Sequence, residues 1–114
     1  MKSVLVLSTL AAAILVPGVA SANDFPTSSR MEYVLECMNN NQGKYEFLYK
    51  CSCAVDQIAG KVKYDDYVEM STASRHQTLG GERGAEFRDP EWVRELAKKY
   101  KAIEQNAKDS CFIK

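Results

Sequence analysis

Two cysteines separated by one serine stand near the middle of the chain, where residues 50–54 read KCSCA and contain Cys51 and Cys53. Thiols this close suggest a redox pair, part of a metal site, or the ends of two structural disulfides. Thiol–disulfide catalysts usually carry C-x-x-C at a helix N-terminus, which lowers the pKa of one thiol. Zinc sites need paired C-x-x-C or added histidines, and His76 is the single histidine. The spacing favours structural disulfides over thiol exchange or zinc.

Four cysteines in a small exported domain indicate two disulfides: Cys37, Cys51, Cys53 and Cys111. Residues two apart on a helix lie about 200° apart around its axis. Cys51 and Cys53 therefore point to opposite sides of their helix and bond different neighbours. We predict Cys37–Cys51 and Cys53–Cys111, because a hairpin brings Cys37 level with the first turns of the next helix. The swapped pairing, Cys37–Cys53 with Cys51–Cys111, remains the alternative.

Carboxylates are concentrated in two segments, YDDYVEM and GGERGAEFRDP. Calcium and lanthanide ions take several oxygen ligands, often carboxylates, from flexible segments. Neither segment has the spacing of an EF-hand loop, and Arg83 and Arg88 interrupt the second one. Helix caps and a solvated loop are the simpler interpretation, and a hard-metal site is the functional one. Its candidate ligands are Asp65, Asp66, Glu69, Glu82, Glu86 and Asp89.

Many aromatic side chains fall in or near the predicted helices, and a thin bundle does not easily bury all of them. Some are therefore expected at the surface, where they would contact a partner. The rings are Tyr45, Phe47, Tyr49, Tyr64, Tyr67, Phe87, Trp92 and Tyr100. The GGERG loop offers backbone amides to an anion, although a helix stop and turn is the simpler interpretation. Since no nucleophile elbow, Walker loop or dinucleotide fingerprint is present, we predict a non-enzymatic protein.

The first 22 residues have the pattern of a secretory signal peptide. A lysine follows Met1, an apolar run extends from Val4 to Val16, and Ala20 and Ala22 form an A-x-A cleavage site. The run is about 13 residues long, whereas a membrane-spanning helix needs about 20. We therefore predict cleavage after Ala22, a single helical domain over residues 23–114, and a periplasmic location without a membrane anchor. The near-neutral charge argues against a nucleic-acid partner.

Four helical segments must position these residues, and no strand is evident. The first is predicted over residues 29–39, with a Ser29–Glu32 capping box and an apolar face that is formed by Met31, Val34, Leu35 and Met38. The second is predicted over residues 44–62, with Leu48, Cys51, Val55, Ile58 and Val62 along one face.

The third helix begins at YDDYVEM, where Asp65 or Asp66 serves as the cap, and Val68 and Leu79 are its core candidates. The GGERGAEFR segment is expected to be a loop. The fourth helix starts at DPEW with Asp89 as its cap. Its predicted apolar face comprises Val93, Leu96, Ala97, Tyr100, Ile103, Ala107 and Cys111. Glu104 and Lys108 are expected to form an ion pair on its outer face. The predicted fold is all-α, a small antiparallel four-helix bundle stapled by two disulfides.

The segments YVLECMNN, KYEFLYKCSCAVDQIAGKVKYDDYVEMSTASR and GGERGAEFRDP together resemble small periplasmic helical proteins of methylotrophic bacteria. These proteins occur beside quinoprotein (PQQ-dependent) methanol or alcohol dehydrogenases, which use calcium or a lanthanide with the quinone. Some small proteins near these enzymes are lanthanide chaperones. The resemblance implies an accessory role, with a periplasmic dehydrogenase as partner and a lanthanide or calcium ion as ligand. It assigns no ligand residue by residue.

Three hypotheses follow. The first is an exported accessory or binding protein of quinoprotein alcohol oxidation that binds or delivers a hard metal ion. The second is a protein-binding module, such as a periplasmic immunity or inhibitor protein, for which exposed aromatic side chains and GGERG would be contact surface. The third is a thiol–disulfide redox protein that acts through Cys51 and Cys53.

Overall fold

The computed structural model describes residues 23–114. These residues contain five helices and no strand. The all-α prediction is confirmed. The predicted signal peptide lies outside these residues. The helices are α1 (Thr27–Asn40), α2 (Glu46–Ala59), α3 (Tyr64–His76), α4 (Gly81–Arg88) and α5 (Glu91–Ser110).

The additional helix, which was not predicted, is α4. It occupies the segment that the sequence predicts as a loop, so that prediction is wrong. Gly81 has φ of 74° and reverses the chain into α4, because glycine adopts this conformation without strain. Gly84 is buried in the helix, where an added Cβ would lie 3.0 Å from the Cβ of Leu79. This glycine therefore serves close packing rather than loop flexibility.

Both predicted side-chain caps at Ser29 and Asp89 are wrong, because each side chain is bonded elsewhere. α1 starts two residues before Ser29, and the Oγ of Ser29 lies 2.8 Å from the hydroxyl of Tyr64. Asp89 accepts hydrogen bonds from Nε and Nη2 of Arg88 at 2.7 and 3.3 Å. Its carboxylate therefore binds the side chain of the preceding residue and does not cap α5.

The predicted core faces of α1 and α3 are only partly correct. Val34 is buried, but Met31 and Leu35 are more than half exposed, and Tyr33 and Cys37 are buried instead. The bond from Cys37 to α2 turns this face inward and places Met31 and Leu35 on its flank. On α3, Val68 is exposed, and the buried residues are Tyr67, Met70, Ser71 and Ala73; Leu79, the other predicted core residue, lies beyond the end of α3 and is also exposed. The predicted apolar face of α5 is confirmed by its buried residues, which are Val93, Ala97, Tyr100 and Ala107.

The helices pack in the spatial order α1, α2, α5, α3, with α4 against α3 and α5. The least exposed large side chains, Cys51, Val55 and Ile58, all lie on α2 in the middle of this row. Within residues 23–114, α1 does not pack closely against α3. The four long helices form the predicted bundle with one loosely packed side, which lies between α1 and α3.

The two disulfides join the cysteines that the sequence predicts. Cys37 on α1 bonds Cys51 on α2, and Cys53 bonds Cys111 just after α5. In the chain-entropy model, closing the longer loop stabilises the fold by about 4 kcal/mol and closing the shorter one by about 3 kcal/mol. Two disulfides and no free cysteine in the described part of the chain indicate an oxidising compartment, periplasmic or extracellular.

Residues before α1 fix the start of α3. Both carboxylate oxygens of Asp24 accept a hydrogen bond from the backbone N–H of Tyr64, each at 3.1 Å. Asp24 thus satisfies an N-terminal amide of α3, and the predicted caps Asp65 and Asp66 lie inside its first turn. The ring of Phe25 is buried next to Tyr64 and Tyr67, at centroid distances of 5.4 and 4.9 Å.

Candidate functional site

A cleft of about 330 Å³ lies on the open side of the helix row, between α1 and α3 and above α5. This volume is near the lower end of the range for small-molecule sites, and the space between helices of a bundle is a common place for them. The lining is mainly polar. It comprises Tyr33, Glu36, Cys37, Asn40, Asn41, Tyr67, Ser71, Ser74, Arg75, Thr78, Tyr100, Glu104 and Lys108.

Three buried tyrosines line the cleft from three helices. Tyr33 comes from α1, Tyr67 from α3 and Tyr100 from α5, and each is at most 8% exposed. The rings of Tyr67 and Tyr100 lie 6.0 Å apart between centroids. Since each ring sits within the hydrophobic core, the tyrosines join the apolar interior of the protein to the polar cleft.

Glu104 on α5 connects these groups. The hydroxyl of Tyr33 donates a hydrogen bond to Oε1 of Glu104 at 3.2 Å, and Nζ of Lys108 lies 3.1 Å from the same oxygen. The Glu104 and Lys108 side chains are only 23% and 29% exposed. The predicted ion pair is therefore present, but it lines the cleft instead of an outer face.

The cleft tyrosines keep their protons. Burial, followed by the negative charge of Glu104, raises the pKa of Tyr33 and of Tyr100 far above its ordinary value. Burial also raises the pKa of Tyr67. The hydroxyls therefore remain hydrogen-bond donors and acceptors over the physiological pH range. Phenols of this kind suit binding better than proton transfer, because a general base needs a pKa near the working pH.

Polar links hold α1 and α3 at the cleft's edges. Nη2 of Arg75 on α3 lies 3.2 Å from Oε2 of Glu36 on α1, and both side chains are exposed. The contact between Ser29 and Tyr64 is the second link. The charges of the lining thus form two pairs, one at an exposed edge and one on α5, and they cancel.

The six carboxylates that the sequence singles out are not gathered into one site. No group of three or more acidic, histidine or cysteine side chains within residues 23–114 is arranged to hold a metal ion. Glu82 and Glu86 lie on α4. The hydrogen bond from Arg88 lowers the pKa of Asp89. The metal hypothesis stays a prediction without a preformed site.

Asp65 and Glu69 instead line a second depression, on the other flank of α3. This groove measures about 350 Å³ and is mostly apolar. It is lined by Asp65, Val68, Glu69, Thr72, Ala73, His76, Trp92 and Val93. Of the eight aromatic residues of which some were expected at the surface, Tyr45, Tyr49, Phe87 and Trp92 are exposed, whereas Tyr67 and Tyr100 are buried.

Sequence reasoning missed the cleft because its members come from distant segments and none belongs to a known motif. One signal was available on α5, where Tyr100, Glu104, Ala107 and Cys111 recur at steps of three and four residues. A carboxylate within an otherwise apolar face marks a polar group that points inward and needs a partner.

No family model matches the chain, and neither a curated protein nor a solved structure is similar to it. No helix among the described residues is long and apolar enough to span a bilayer.

Proposed function

We propose that the protein is an exported, non-enzymatic binding protein that takes a small polar molecule into the cleft between α1 and α3. The observation that carries this proposal is the polar lining of the open side of the helix row. A row that served stability alone would be expected to close α1 onto α3 with apolar side chains. Here tyrosines, carboxylates and amides surround a volume suited to a ligand.

The lining also defines the class of ligand. Phenols and amides donate and accept hydrogen bonds, whereas the charged groups already pair with one another: Lys108 with Glu104, and Arg75 with Glu36. A ligand with a large net charge would have to break one of these pairs. The favoured ligand is therefore a small, hydroxyl-rich molecule without net charge, whose groups replace the water that fills the cleft.

A catalytic role has less support. The cleft contains no histidine, and the hydroxyl of Ser71 donates to the carbonyl of Val68 at 3.3 Å. That hydroxyl is therefore bonded to backbone, and no histidine is there to activate it as a nucleophile. Thiol exchange through Cys51 and Cys53 has no support either, since each is bonded to a different, distant cysteine and Cys51 is fully buried.

The biological setting rests on the resemblance to small proteins of quinoprotein alcohol oxidation. A periplasmic location, a dehydrogenase partner and a lanthanide or calcium ligand are its predictions, and the disulfides support export. A gene neighbourhood with a dehydrogenase would favour this setting. A neighbouring toxin effector gene would favour the alternative of an immunity or inhibitor protein.

The cleft proposal is tested by NMR titration of the ¹⁵N-labelled protein with a panel of polyols, monosaccharides and amino acids. We expect shift changes of backbone amides around Tyr33, Ser71 and Glu104 with at least one uncharged polyhydroxyl compound. Glu104→Gln should abolish these changes, whereas Glu95→Gln on the exposed side of α5 should not. Shift changes that map elsewhere, or none across the panel, would remove the cleft as a binding site.

A further inference from the structure

The groove beside Trp92 shares α3 with the cleft but lies on its opposite flank. Tyr67, Ser71 and Arg75 of α3 line the cleft, whereas Val68, Thr72 and His76 line the groove. A molecule in the groove would therefore leave the cleft open. The groove is also different in character, because its accessible lining is mostly apolar.

Large apolar side chains are exposed in and beside the groove. Trp92 is 64% exposed, Val68 is 41% exposed, and Phe87, at 54%, stacks edge-on against His76 with 5.6 Å between centroids. Val93 and Ala73 form the buried base. Exposed tryptophan beside a well-packed base is typical of protein contact sites, since its large ring buries much apolar area at little entropic cost.

Two carboxylates give the groove negative charge. Asp65 and Glu69 stand one helical turn apart on α3, and no lysine or arginine is among the residues that line the groove. Within the groove neither carboxylate has a cationic neighbour, in contrast to the paired charges of the cleft. An approaching cation would meet both carboxylates and the exposed ring of Trp92 in the same groove, and both kinds of group attract it.

From these features we infer that the groove docks a protein segment that presents an apolar side chain next to lysine or arginine. The apolar side chain fills the space over Val93 and Ala73, and the cation lies against Asp65 and Glu69. The occupant is a partner protein and not the ligand of the cleft. This site would let the protein bind a small molecule and a second protein at the same time.

Trp92 is the only tryptophan in the sequence, so its fluorescence reports occupation of the groove directly. The probe is an amphipathic leucine–lysine peptide, together with matched peptides in which serine replaces leucine or glutamate replaces lysine. We expect the leucine–lysine peptide alone to shift Trp92 emission to shorter wavelength and to protect it from acrylamide. Because the contact is partly ionic, binding should weaken as salt is raised.

Matched variants distinguish docking in the groove from non-specific peptide binding. In the double variant Asp65→Asn, Glu69→Gln, the affinity for the leucine–lysine peptide should fall about fivefold. Peptide binding should also lose most of its salt dependence, because two exposed charge contacts are removed. Glu91→Gln with Glu95→Gln neutralises two acidic residues of α5 outside the groove and should leave affinity unchanged. For Trp92→Ala, read by fluorescence anisotropy of a labelled peptide, binding should be lost, whereas Leu35→Ala should bind normally.

Three results would overturn the docking site: binding that is indifferent to the Asp65 and Glu69 changes, binding that survives Trp92→Ala, or equal binding of the glutamate peptide. Concentration-dependent self-association in sedimentation velocity, lost in Trp92→Ala, would instead assign the groove to a second copy of this chain. None of these results depends on the cleft, so the two proposals fail separately.

Discussion

The hydroxyl of Tyr33 on α1 donates a hydrogen bond to Oε1 of Glu104 on α5, 3.2 Å away and 71 positions later in the chain. The two helices do not otherwise pack closely against each other. This bond therefore ties the first helix across the cleft to the last one. It also joins a group of the core to a charged group, and hydrogen bonds to charged groups are stronger than those between neutral groups.

Removal of this hydroxyl should destabilise the protein. In Tyr33→Phe we expect the free energy of unfolding to fall by about 1.5–3 kcal/mol, the range for a hydrogen bond to a charged partner. Tyr45→Phe is the matched control, because Tyr45 is exposed and its hydroxyl only approaches that of Tyr49, at 3.5 Å. Urea denaturation followed by circular dichroism measures both. Equal effects of the two changes would contradict the assigned role of the Tyr33–Glu104 bond.

Stability should fall at alkaline pH. Burial raises the pKa of Tyr33, Tyr67 and Tyr100 above the ordinary value of 10.0. Above pH 10 the unfolded chain loses these protons while the folded chain keeps them, so the free energy of unfolding declines as pH rises. Each retained proton adds about 1.4 kcal/mol per pH unit to the slope. Below pH 9 the three tyrosines should add no pH dependence.

Tyr100→Phe removes one of these protons. The decline of the free energy of unfolding with pH should then be shallower by about 1.4 kcal/mol per pH unit. Urea denaturation at intervals between pH 8 and 11, in the region of the ordinary tyrosine pKa, gives the slopes. Absorbance at 295 nm, which follows phenolate formation, supplies an independent reading. The prediction fails if all six tyrosines ionise together near pH 10 in the folded protein.

The N-terminal segment should contribute to the stability of α3. Asp24→Ala removes both hydrogen bonds to the N–H of Tyr64, and we expect a loss of about 1 kcal/mol, as for other helix N-caps. Asp66→Ala removes a carboxylate that is inside the first turn and is not the cap. Its effect in urea denaturation should be smaller. If Asp66→Ala costs as much as Asp24→Ala, the contribution comes from helix-dipole charge and not from the cap.

The disulfides should differ in what their removal costs. Replacing Cys53 and Cys111 by serine opens a loop with a sequence separation of 58, and the chain-entropy model gives a loss of about 4 kcal/mol. Replacing Cys37 and Cys51 opens a separation of 14 at a model cost of about 3 kcal/mol, plus the cost of burying serine at a fully buried position. Peptide mapping of the native protein should find both bonds. A Cys51–Cys53 bond, or a readily reduced pair, would revive the redox hypothesis.

The metal hypothesis makes a prediction of its own. If the carboxylates bind a hard cation, the protein should take up lanthanum or calcium at micromolar concentration, and Asp65→Asn with Glu69→Gln should weaken that uptake. Lanthanides would bind more tightly than calcium, because their higher charge favours carboxylate oxygens. Isothermal titration calorimetry measures it, with Glu95→Gln as the control. Absence of uptake would remove the metal from the proposed function.

Features set by local geometry were predictable from the sequence. The opposite directions of Cys51 and Cys53 follow from helical geometry alone, and the short hairpin before α2 favours Cys51 over Cys53 as the partner of Cys37. The face of α5 was predictable because its apolar residues recur regularly from Val93 to Ala107. A long, regular pattern leaves little choice of which side is buried.

Features set by distant contacts were not predictable. Ser29 has the sequence of a cap but contacts Tyr64, and Asp24 caps a helix 40 positions away. Gly84 looks like a loop glycine, yet it lies in a helix and packs against Leu79. The cleft depends on Tyr33, Tyr67 and Glu104, whose approach is decided only when the helix row assembles. In each case tertiary contacts override a local preference.

The pairing of the cysteines has a consequence for how the chain would be oxidised during the predicted export. The bonds join the first cysteine to the second and the third to the fourth. A chain threaded from its N-terminus through a translocation channel presents its thiols in that order. An oxidase at the exit that joins thiols as they arrive would produce the native bonds without reshuffling. Either of the other two pairings of these four cysteines would need bonds between thiols that do not emerge one after the other.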